Sequence, residues 1–340
     1  ETNQSQSELV TPSTYQDVLN SLQKEDWTRA MDNEVQSLLE SNTWHLVPKS
    51  EASNIITGKW VFKIKYHNGK FQKFKARYCA RGFSQKKGID YDEVFAPVSR
   101  ASSMLITLGL ANQQKHNIHL IDVKNAFVRA HVHDHNLYLS QPQGYERYGP
   151  NGEQLVCKLD KYLYGLLQAS REFNLHLTNI LTKKLGFTKF LSDNCLCFHH
   201  TTKLALSIYV DDIIATCADI NTLNQFAEDL RKHDLPITIE KLEDISTAQI
   251  LGIEIEYNKD KGYLHLFQLH SIEKSLKDFD LQDLPHASTP MEPNWHPNLH
   301  PEDISSALDY PIRETIGRLN DYAIHTRPDI QQAVSRVQRE

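Results

Sequence analysis

Tyr209-Val210-Asp211-Asp212 places two adjacent carboxylates between the apolar runs Leu204 to Ile208 and Ile213 to Ala215. Acids flanked by buried strand repel each other and lose solvation unless a cation neutralises them. A second apolar run, Ile118 to Val123, leads into Asp122 with no Lys or Arg on it. It reads as a second buried acid at the end of a core strand. Side chains alternate along a strand, but the twist of a hairpin turn lets neighbouring Asp residues converge on one ion. Asp122, Asp211 and Asp212 are therefore the candidate catalytic and metal-binding set. Their chemistry suits two divalent cations that hold a nucleophile and a triphosphate in line, and all-oxygen donors favour Mg²⁺. Taken alone, an Asp-Asp turn is more often only a turn, and the third acid is what raises it.

The second feature is cationic. Between Lys59 and Lys87 stand eight Lys and two Arg with no Asp or Glu, although the whole chain carries a net charge of −6. That segment is built to meet a polyanion. Its aromatics, Trp60, Phe62, Tyr66, Phe71, Phe74, Tyr78 and Phe83, are interleaved with the cations, as expected of strands with one face on a core and one toward phosphate. The competing reading is a solvated hairpin in an acidic protein.

Elements able to position these groups follow from length and periodicity. With 340 residues, 40% apolar and 24% charged, the chain has a globular profile and is not disordered. No apolar stretch is long enough for a membrane helix. Five cysteines without a CxxC pair argue against a disulfide framework. The start, lacking Met and a signal-type apolar core, reads as a segment of a longer protein. Residues 1–14 read as linker, 15–57 as a mainly helical part with two helices from Tyr15 to Ser41, and 58–83 as a β-hairpin turning at His67-Asn68-Gly69. A helix from Met104 to Gln114, a strand from Ile118 to Val123, and a long helical stretch from Lys161 to Leu185 follow. Then come strands at Cys195 to Phe198 and Leu204 to Ile214, the latter turning at Asp211-Asp212. A helix from Asn221 to Lys232, a strand from Gln249 to Tyr257, a hairpin at Lys261-Gly262 and a helix from His270 to Phe279 complete this part. A Pro-rich linker (Pro285, Pro290, Pro293, Pro297, Pro301) precedes a last helical segment. The order is α+β with antiparallel hairpins.

Ordered blocks then carry a resemblance. They are W-x2-AM-x2-E-x3-L-x3-NTW from Trp27 to Trp44, Gly58 to Lys63, Lys75 to Gln85 with Gly88-Ile89-Asp90-Tyr91, and Phe95-Ala96-Pro97-Val98. Asp122-Val123-Lys124-Asn125-Ala126-Phe127, Gln141-Pro142-x-Gly144-Tyr145, Leu163-Tyr164-Gly165-Leu166-Leu167-Gln168-Ala169, Tyr209 to Asp212, Leu251 to Ile255 and Thr326 to Ile330 continue them. Together they resemble the reverse transcriptases of copia-type (Pseudoviridae) long-terminal-repeat retrotransposons, nearly end to end.

The resemblance implies a right-hand polymerase of fingers, palm and thumb, cut from a Pol polyprotein. Fingers and palm would span 58–262 (basic hairpin 59–87, catalytic palm 118–262), the thumb 263–291, and a linker with the start of a connection region 292–340, RNase H being absent. Asp122 and Asp211 would bind two Mg²⁺ ions with Asp212 as third acid. Phe127 would be the steric gate against a ribose 2′-OH, and Gln168 would line the nucleotide pocket. Lys75 and Arg77, on one strand face, would grip the dNTP, while Lys63, Lys65 and Arg81 would contact nucleic acid. Implied partners are an RNA template, a DNA primer and cDNA, dNTPs, the integrase and RNase H of the polyprotein, and a capsid particle. The location would be cytoplasmic, in virus-like particles, with nuclear delivery.

Departures from the family pattern are Asn125, Val128-Arg129-Ala130, Leu167, Ser170, Phe173, and the polar pair Asn320-Asp321. They leave open a rival, a decayed copy that only binds nucleic acid. A Mg²⁺ nuclease fits the acids but not the basic hairpin. His131-Val132-His133-Asp134-His135 is one residue short of a zinc-hydrolase box and reads as a loop. Cys195, Cys197 and His199 lack a fourth ligand and read as core.

Overall fold

Thr14 opens the first helix with a reciprocal cap: its hydroxyl accepts from the Asp17 N–H at 3.2 Å while the Asp17 carboxylate accepts from the Thr14 N–H at 2.9 Å. The computed structural model describes residues 9–67, 70–133, 135–242, 248–292, 295 and 311–339. The first eight linker residues, Asn68 and Gly69 of the expected turn, Asp134, and Pro293, Pro297 and Pro301 lie outside them. In chain order come α1 (Tyr15–Leu19), α2 (Lys24–Glu40), β1 (Trp44–Pro48), β2 (Ile55–Ile56), β3 (Gly58–His67) and β4 (Lys70–Ala80). They are followed by α3 (Ala101–Gln113), β5 (Asn117–Val123), β6 (Tyr138–Leu139), β7 (Leu155–Leu159), α4 (Ala169–Asn179), β8 (Thr188–Lys189), β9 (Leu196–Phe198), β10 (Ala205–Tyr209) and β11 (Asp212–Cys217). Then come α5 (Ile220–Lys232), β12 (Ile237–Lys241), β13 (Ala248–Ile250), β14 (Ile253–Asn258), β15 (Tyr263–Phe267), α6 (Leu269–Asp278) and the helices Ile312–His325 and Gln331–Val337. Among the described residues no helix is long and apolar enough to cross a membrane.

The central layer is an antiparallel sheet in the order β12-β5-β11-β10-β9-β8. Alternation gives it two apolar faces. Ile121, Val123, Leu206, Ile208, Ile213 and Ala215 join one continuous core that runs through Phe173 and Leu177 of α4, Leu223 and Leu230 of α5, and back to Trp27 and Met31 of α2. Ile118 and Ile214 join a second core with Met104 and Leu108 of α3 and with Ile250, Ile253 and Ile255. A smaller sheet, β1-β7-β6-β2, ties the N-terminal part to the middle of the chain, with Trp44 opposite Leu159. The expected α+β class and antiparallel sheet are present.

The basic hairpin is β3 paired with β4 and no further strand among the described residues. Its even-numbered positions turn inward: Trp60, Phe62, Ile64, Ala76 and Tyr78 are buried. Trp27 of α2 meets Phe62 and Phe74 edge-on at 5.4 and 4.6 Å. The Tyr78 N–H donates to the Glu34 carboxylate of α2 at 3.3 Å, so the helix also covers the free edge of β4.

Three expectations shift, and one boundary falls inside a hairpin. The stretch from Lys161 is not helical until Ala169, because Gly165 adopts φ +89° and docks against the hairpin. Gln249 to Tyr257 is two antiparallel strands, β13 and β14, since Leu251 and Gly252 both take positive φ and close a tight turn between them. The turn between β10 and β11 falls on Val210-Asp211, one residue earlier than expected, because Asp212 pairs with Tyr209. The expected palm-thumb division at 262/263 lies in the turn of the hairpin that pairs β14 with β15. Beyond it, helix Ile312–His325 packs on α6 through Arg318–Asp278 at 2.7 Å and through Tyr322, whose hydroxyl donates to the Ser271 carbonyl at 2.8 Å.

Candidate functional site

Register sets the acids. Asp212 opens β11 opposite both Tyr209 of β10 and Asp122 of β5, and Asp122 in turn opposes Thr238 of β12. Directly opposed residues share a face, so Asp122 and Asp212 are side-by-side neighbours on one rung. They line a cavity of about 120 Å³ with Thr238, Glu240, Gln249 and Ile250. Asp211 occupies the adjoining turn, where Val210 is held at φ 56°, a left-handed conformation that a β-branched residue adopts at a cost of roughly 1–3 kcal/mol. Asp122 is exposed, not buried as its apolar strand implied. It stands one residue from the end of β5, where the second core no longer covers that face.

The acids act on one another. Burial raises the Asp212 carboxyl to about 6, with Asp211 and Asp122 adding to the shift. Burial also raises Asp211, Asp122 reinforces it and Arg77 opposes it. Carboxylate oxygens carrying unneutralised charge are the donor set a hard divalent cation relieves, so Asp122, Asp211 and Asp212 fit Mg²⁺ chemically. Among the described residues no three His, Cys, Asp or Glu side chains stand together as a ready metal cage. Two of these acids stand on one sheet rung and the third in the adjoining turn.

The hairpin turns its odd-numbered face toward these acids. Lys63 is exposed, while Lys65, Lys75 and Arg77 are half-buried. Burial lowers the Lys75 ammonium below its ordinary range, and Arg77, Lys65 and Lys73 lower it further. Lys65 is lowered first by burial, then by Lys63 and Arg77, with Asp122 pulling the other way. Crowded cations of this kind are relieved by an anion. Arg81 does not join them. It lies past the end of β4 and lines a separate cleft of about 640 Å³ with Lys49, Arg147 and Tyr148.

Phe127 sits in the turn Ala126–Arg129 directly after β5, largely buried, edge-on to Tyr164 at 4.5 Å and to Phe173 at 6.3 Å. Gln168 is buried, and both ends of its amide are engaged: Oε1 accepts from Gln85 at 3.0 Å and Nε2 donates to the Asp90 carbonyl at 2.9 Å. Both partners lie on the loop after the hairpin. Two residues escaped sequence reasoning. Glu34 lies beneath Lys75 and Arg77, raised by burial against their pull. Tyr164 carries the Arg77 guanidinium 4.3 Å over its ring, and the aromatic-glycine pair Tyr164-Gly165 was its visible signal.

Elsewhere, Cys195 and Cys197 are buried, and the His131 and His133 rings lie 6.3 Å apart. The departures from the family pattern are locally accommodated. Asn125 takes φ 53°, which Asn tolerates, and its amide donates to Ser37 at 3.1 Å. Arg129 pairs with Asp234 at 3.0 Å, and Asp321 accepts from Gln268 at 2.9 Å.

The chain is of the α+β class, with an antiparallel sheet whose paired carboxylates stand in the field of a cationic two-stranded hairpin. Residues 41–293 match the family described as reverse transcriptase (RNA-dependent DNA polymerase), and the chain belongs to that family. It is 32% identical over 340 residues to the retrovirus-related Pol polyprotein from transposon TNT 1-94 of Nicotiana tabacum, a match covering 96% of this chain and 25% of the relative. With the corresponding polyprotein from transposon RE1 of Arabidopsis thaliana the identity is 33%, covering 97% of this chain and 22% of that one. The Ty1-GR3 Gag-Pol polyprotein of Saccharomyces cerevisiae is 25% identical over 80% of this chain and 15% of its own length. The chain thus spans about a quarter or less of the length of these three relatives. A solved foamy viral protease-reverse transcriptase in complex with double-stranded DNA aligns with 87% of this chain and 40% of its own at 12% identity and a TM-score of 0.39, too slight a likeness to add to the family match.

Proposed function

We propose that this chain is the polymerase portion of a retrotransposon Pol polyprotein, an RNA- and DNA-directed DNA polymerase that transfers a dNMP to a primer 3′-OH and releases pyrophosphate. The reading rests chiefly on the acid rung, Asp122 beside Asp212 with Asp211 in the adjoining turn, set against the Lys65 and Arg77 face of the hairpin in a chain of this family. On this reading residues 58–262 are fingers and palm, with the hairpin at 59–87. Residues 263–291 are the thumb, and the last helices begin the connection region.

Asp122, Asp211 and Asp212 would hold two Mg²⁺ ions, which when bound lower the pKa of the primer hydroxyl and neutralise the triphosphate. Arg77 offers a planar fork to two phosphate oxygens and Lys75 a point charge, so the pair would grip the incoming dNTP. Lys63, directly opposite Lys75, and Lys65, nearer the hairpin tip, would track the template backbone, and Arg81 would touch nucleic acid from its separate cleft. Phe127 would pack under the sugar and exclude a 2′-OH by contact. Gln168 would line the nucleotide pocket, held there by Gln85 and the Asp90 carbonyl. Partners on this reading are an RNA template, DNA primer and cDNA, dNTPs, the integrase and RNase H of the polyprotein, and a capsid particle in the cytoplasm with nuclear delivery of its product.

Primer extension on RNA and DNA templates with Mg²⁺ tests it. The unaltered chain should extend both, while Asp211→Asn and Asp122→Asn should each lose more than about a hundredfold in rate and keep duplex affinity within about twofold. Retention of more than a few per cent of extension by Asp211→Asn would remove that residue from the site. An unaltered chain that binds template-primer in a salt-dependent way but never extends it would establish the rival, a decayed nucleic-acid-binding copy.

A further inference from the structure

We propose that Tyr164 is a positioning residue on which the nucleotide-binding cation Arg77 and the sugar-facing ring Phe127 are both seated, so that its aromatic ring sets dNTP affinity and sugar discrimination together. The inference rests on the polymerase reading and adds to it a residue that neither the acids nor the basic hairpin contains.

Three separate segments meet at this ring. Arg77 comes from β4, Phe127 from the turn after β5, and Tyr164 from the loop before α4. The Arg77 guanidinium carbon lies 4.3 Å from the Tyr164 centroid, within cation–π range. The Phe127 ring meets the same ring edge-on at 4.5 Å with an interplanar angle of 72°. One side chain thus touches both groups that would contact the nucleotide.

Its own backbone is pinned. The Tyr164 carbonyl accepts from the Ala80 N–H at 2.8 Å, at the end of the strand that carries Arg77. Gly165, at φ +89°, approaches so closely that a Cβ there would lie 2.1 Å from the Ala80 carbonyl oxygen. Only glycine allows this docking, and it fixes the ring relative to β4. The hydroxyl is also held neutral. Burial raises its pKa to about 12, Asp211 and Asp122 add to that, and Arg77 opposes it. The ring seats the guanidinium in the attractive field of Asp211, so its loss should let Arg77 shift toward that acid when no nucleotide is present. Phe127 would lose its edge contact at the same moment.

The test uses the full chain in single-nucleotide primer extension with a dNTP and the matching rNTP. Tyr164→Leu should raise the KM for dNTP about tenfold, change kcat less than threefold, and raise the rNTP/dNTP efficiency ratio at least threefold. Tyr164→Phe, which keeps the ring, should stay within twofold on both measures. Arg77→Lys, which keeps the charge but cannot stack as a plane, should raise the KM for dNTP in the same direction and be less than additive with Tyr164→Leu. A Phe variant as impaired as Leu would overturn the proposal by assigning the effect to the hydroxyl. So would full additivity of the Arg77→Lys and Tyr164→Leu changes, or a Leu variant that lowers kcat and melting temperature with the KM unchanged. Should Tyr164→Leu fail to fold, Arg77→Lys with an unchanged KM would be equally fatal. Absence of any extension by the unaltered chain would overturn the polymerase reading itself, an outcome distinct from all of these.

Discussion

The acids and the cations of this site are held by different means. Asp122 and Asp212 are fixed by register in the middle of a broad sheet, with Thr238 and Tyr209 completing a rung across four strands. The cations stand on a two-stranded hairpin with no further strand beside it among the described residues. That hairpin owes its position to what it lies on, Trp27 and Glu34 of α2 on one side and the Tyr164-Gly165 loop at its base. A central rung places a charge to backbone precision whatever side chain it carries. A free hairpin places its charges only as well as its packing partners do. Side-chain exchange at the acids should therefore change chemistry and leave geometry, while changes beneath the hairpin should do the reverse.

The sharpest way to break this contrast lies where the two regions meet, at Phe127. Phe127→Val should raise rNTP incorporation relative to dNTP by about 30-fold or more, with a smaller loss in dNTP use, as expected when one contact worth ~2–4 kcal/mol is removed. If Phe127 serves only the core, deleting its ring would cost about 3 kcal/mol of stability and depress both activities together. Paired incorporation assays with thermal unfolding decide between these outcomes. Next in size is the hairpin itself. Lys75→Ala and Arg77→Ala should each raise the KM for dNTP about tenfold and weaken template-primer binding less than threefold. A uniform loss of nucleic-acid affinity with a shallower salt dependence would reassign this face to the template.

The smallest effect concerns the rung. Asp212 is raised to about 6 in the folded chain, so folding binds its proton more tightly than the unfolded state does. Stability from this group is therefore greatest below the ordinary carboxylate range and falls as pH rises toward 6. The full penalty is present at pH 7. After allowance for its partial exposure, Asp212→Asn should stabilise the metal-free protein at pH 7 by about 1 kcal/mol and by almost nothing at pH 4. Thermal melts in a chelator at both pH values check this, and added Mg²⁺ should shrink the gain. A variant that is no more stable at pH 7 would show that neither burial nor its acidic neighbours penalise the Asp212 carboxylate.

Much of this was legible because side-chain period and chain position coincide. The alternation of Trp60-Val61-Phe62-Lys63-Ile64-Lys65 and its mirror from Phe74 to Tyr78 fixed both the hairpin and which face carries charge. Helices α2 and α5 followed from apolar residues at three- and four-residue steps. What failed did so where tertiary packing overrides local preference. Val210 at positive φ breaks the rule that a β-branched residue avoids turns, which hid the true turn position. Gly165 falls inside the run read as helical, and its reason for being glycine is the Ala80 carbonyl, 85 positions earlier in the chain. The exposure of Asp122 depends on where a neighbouring layer stops, and an apolar run carries no information about that. Gln168 stood in a motif whose spacing was readable, but its burial against Gln85 and Asp90 was not.

The pairing of β1 with β7 has a consequence for how the chain reaches this structure. His45 of β1 and Asp160, just past β7, meet at 2.8 Å although 115 residues separate them. Emerging from a ribosome at about 5–20 residues per second, β1 would wait several seconds or more for its partner strand. During that interval its edge is open, and the aromatic underside of the hairpin has α2 for cover but not yet the rest of the shared core. A strand order that closes only after such long loops implies slow, high-contact-order folding. The nascent chain therefore passes through a window in which self-association competes with completion, and the yield of active protein should depend on synthesis rate and local concentration as much as on the stability of the finished fold.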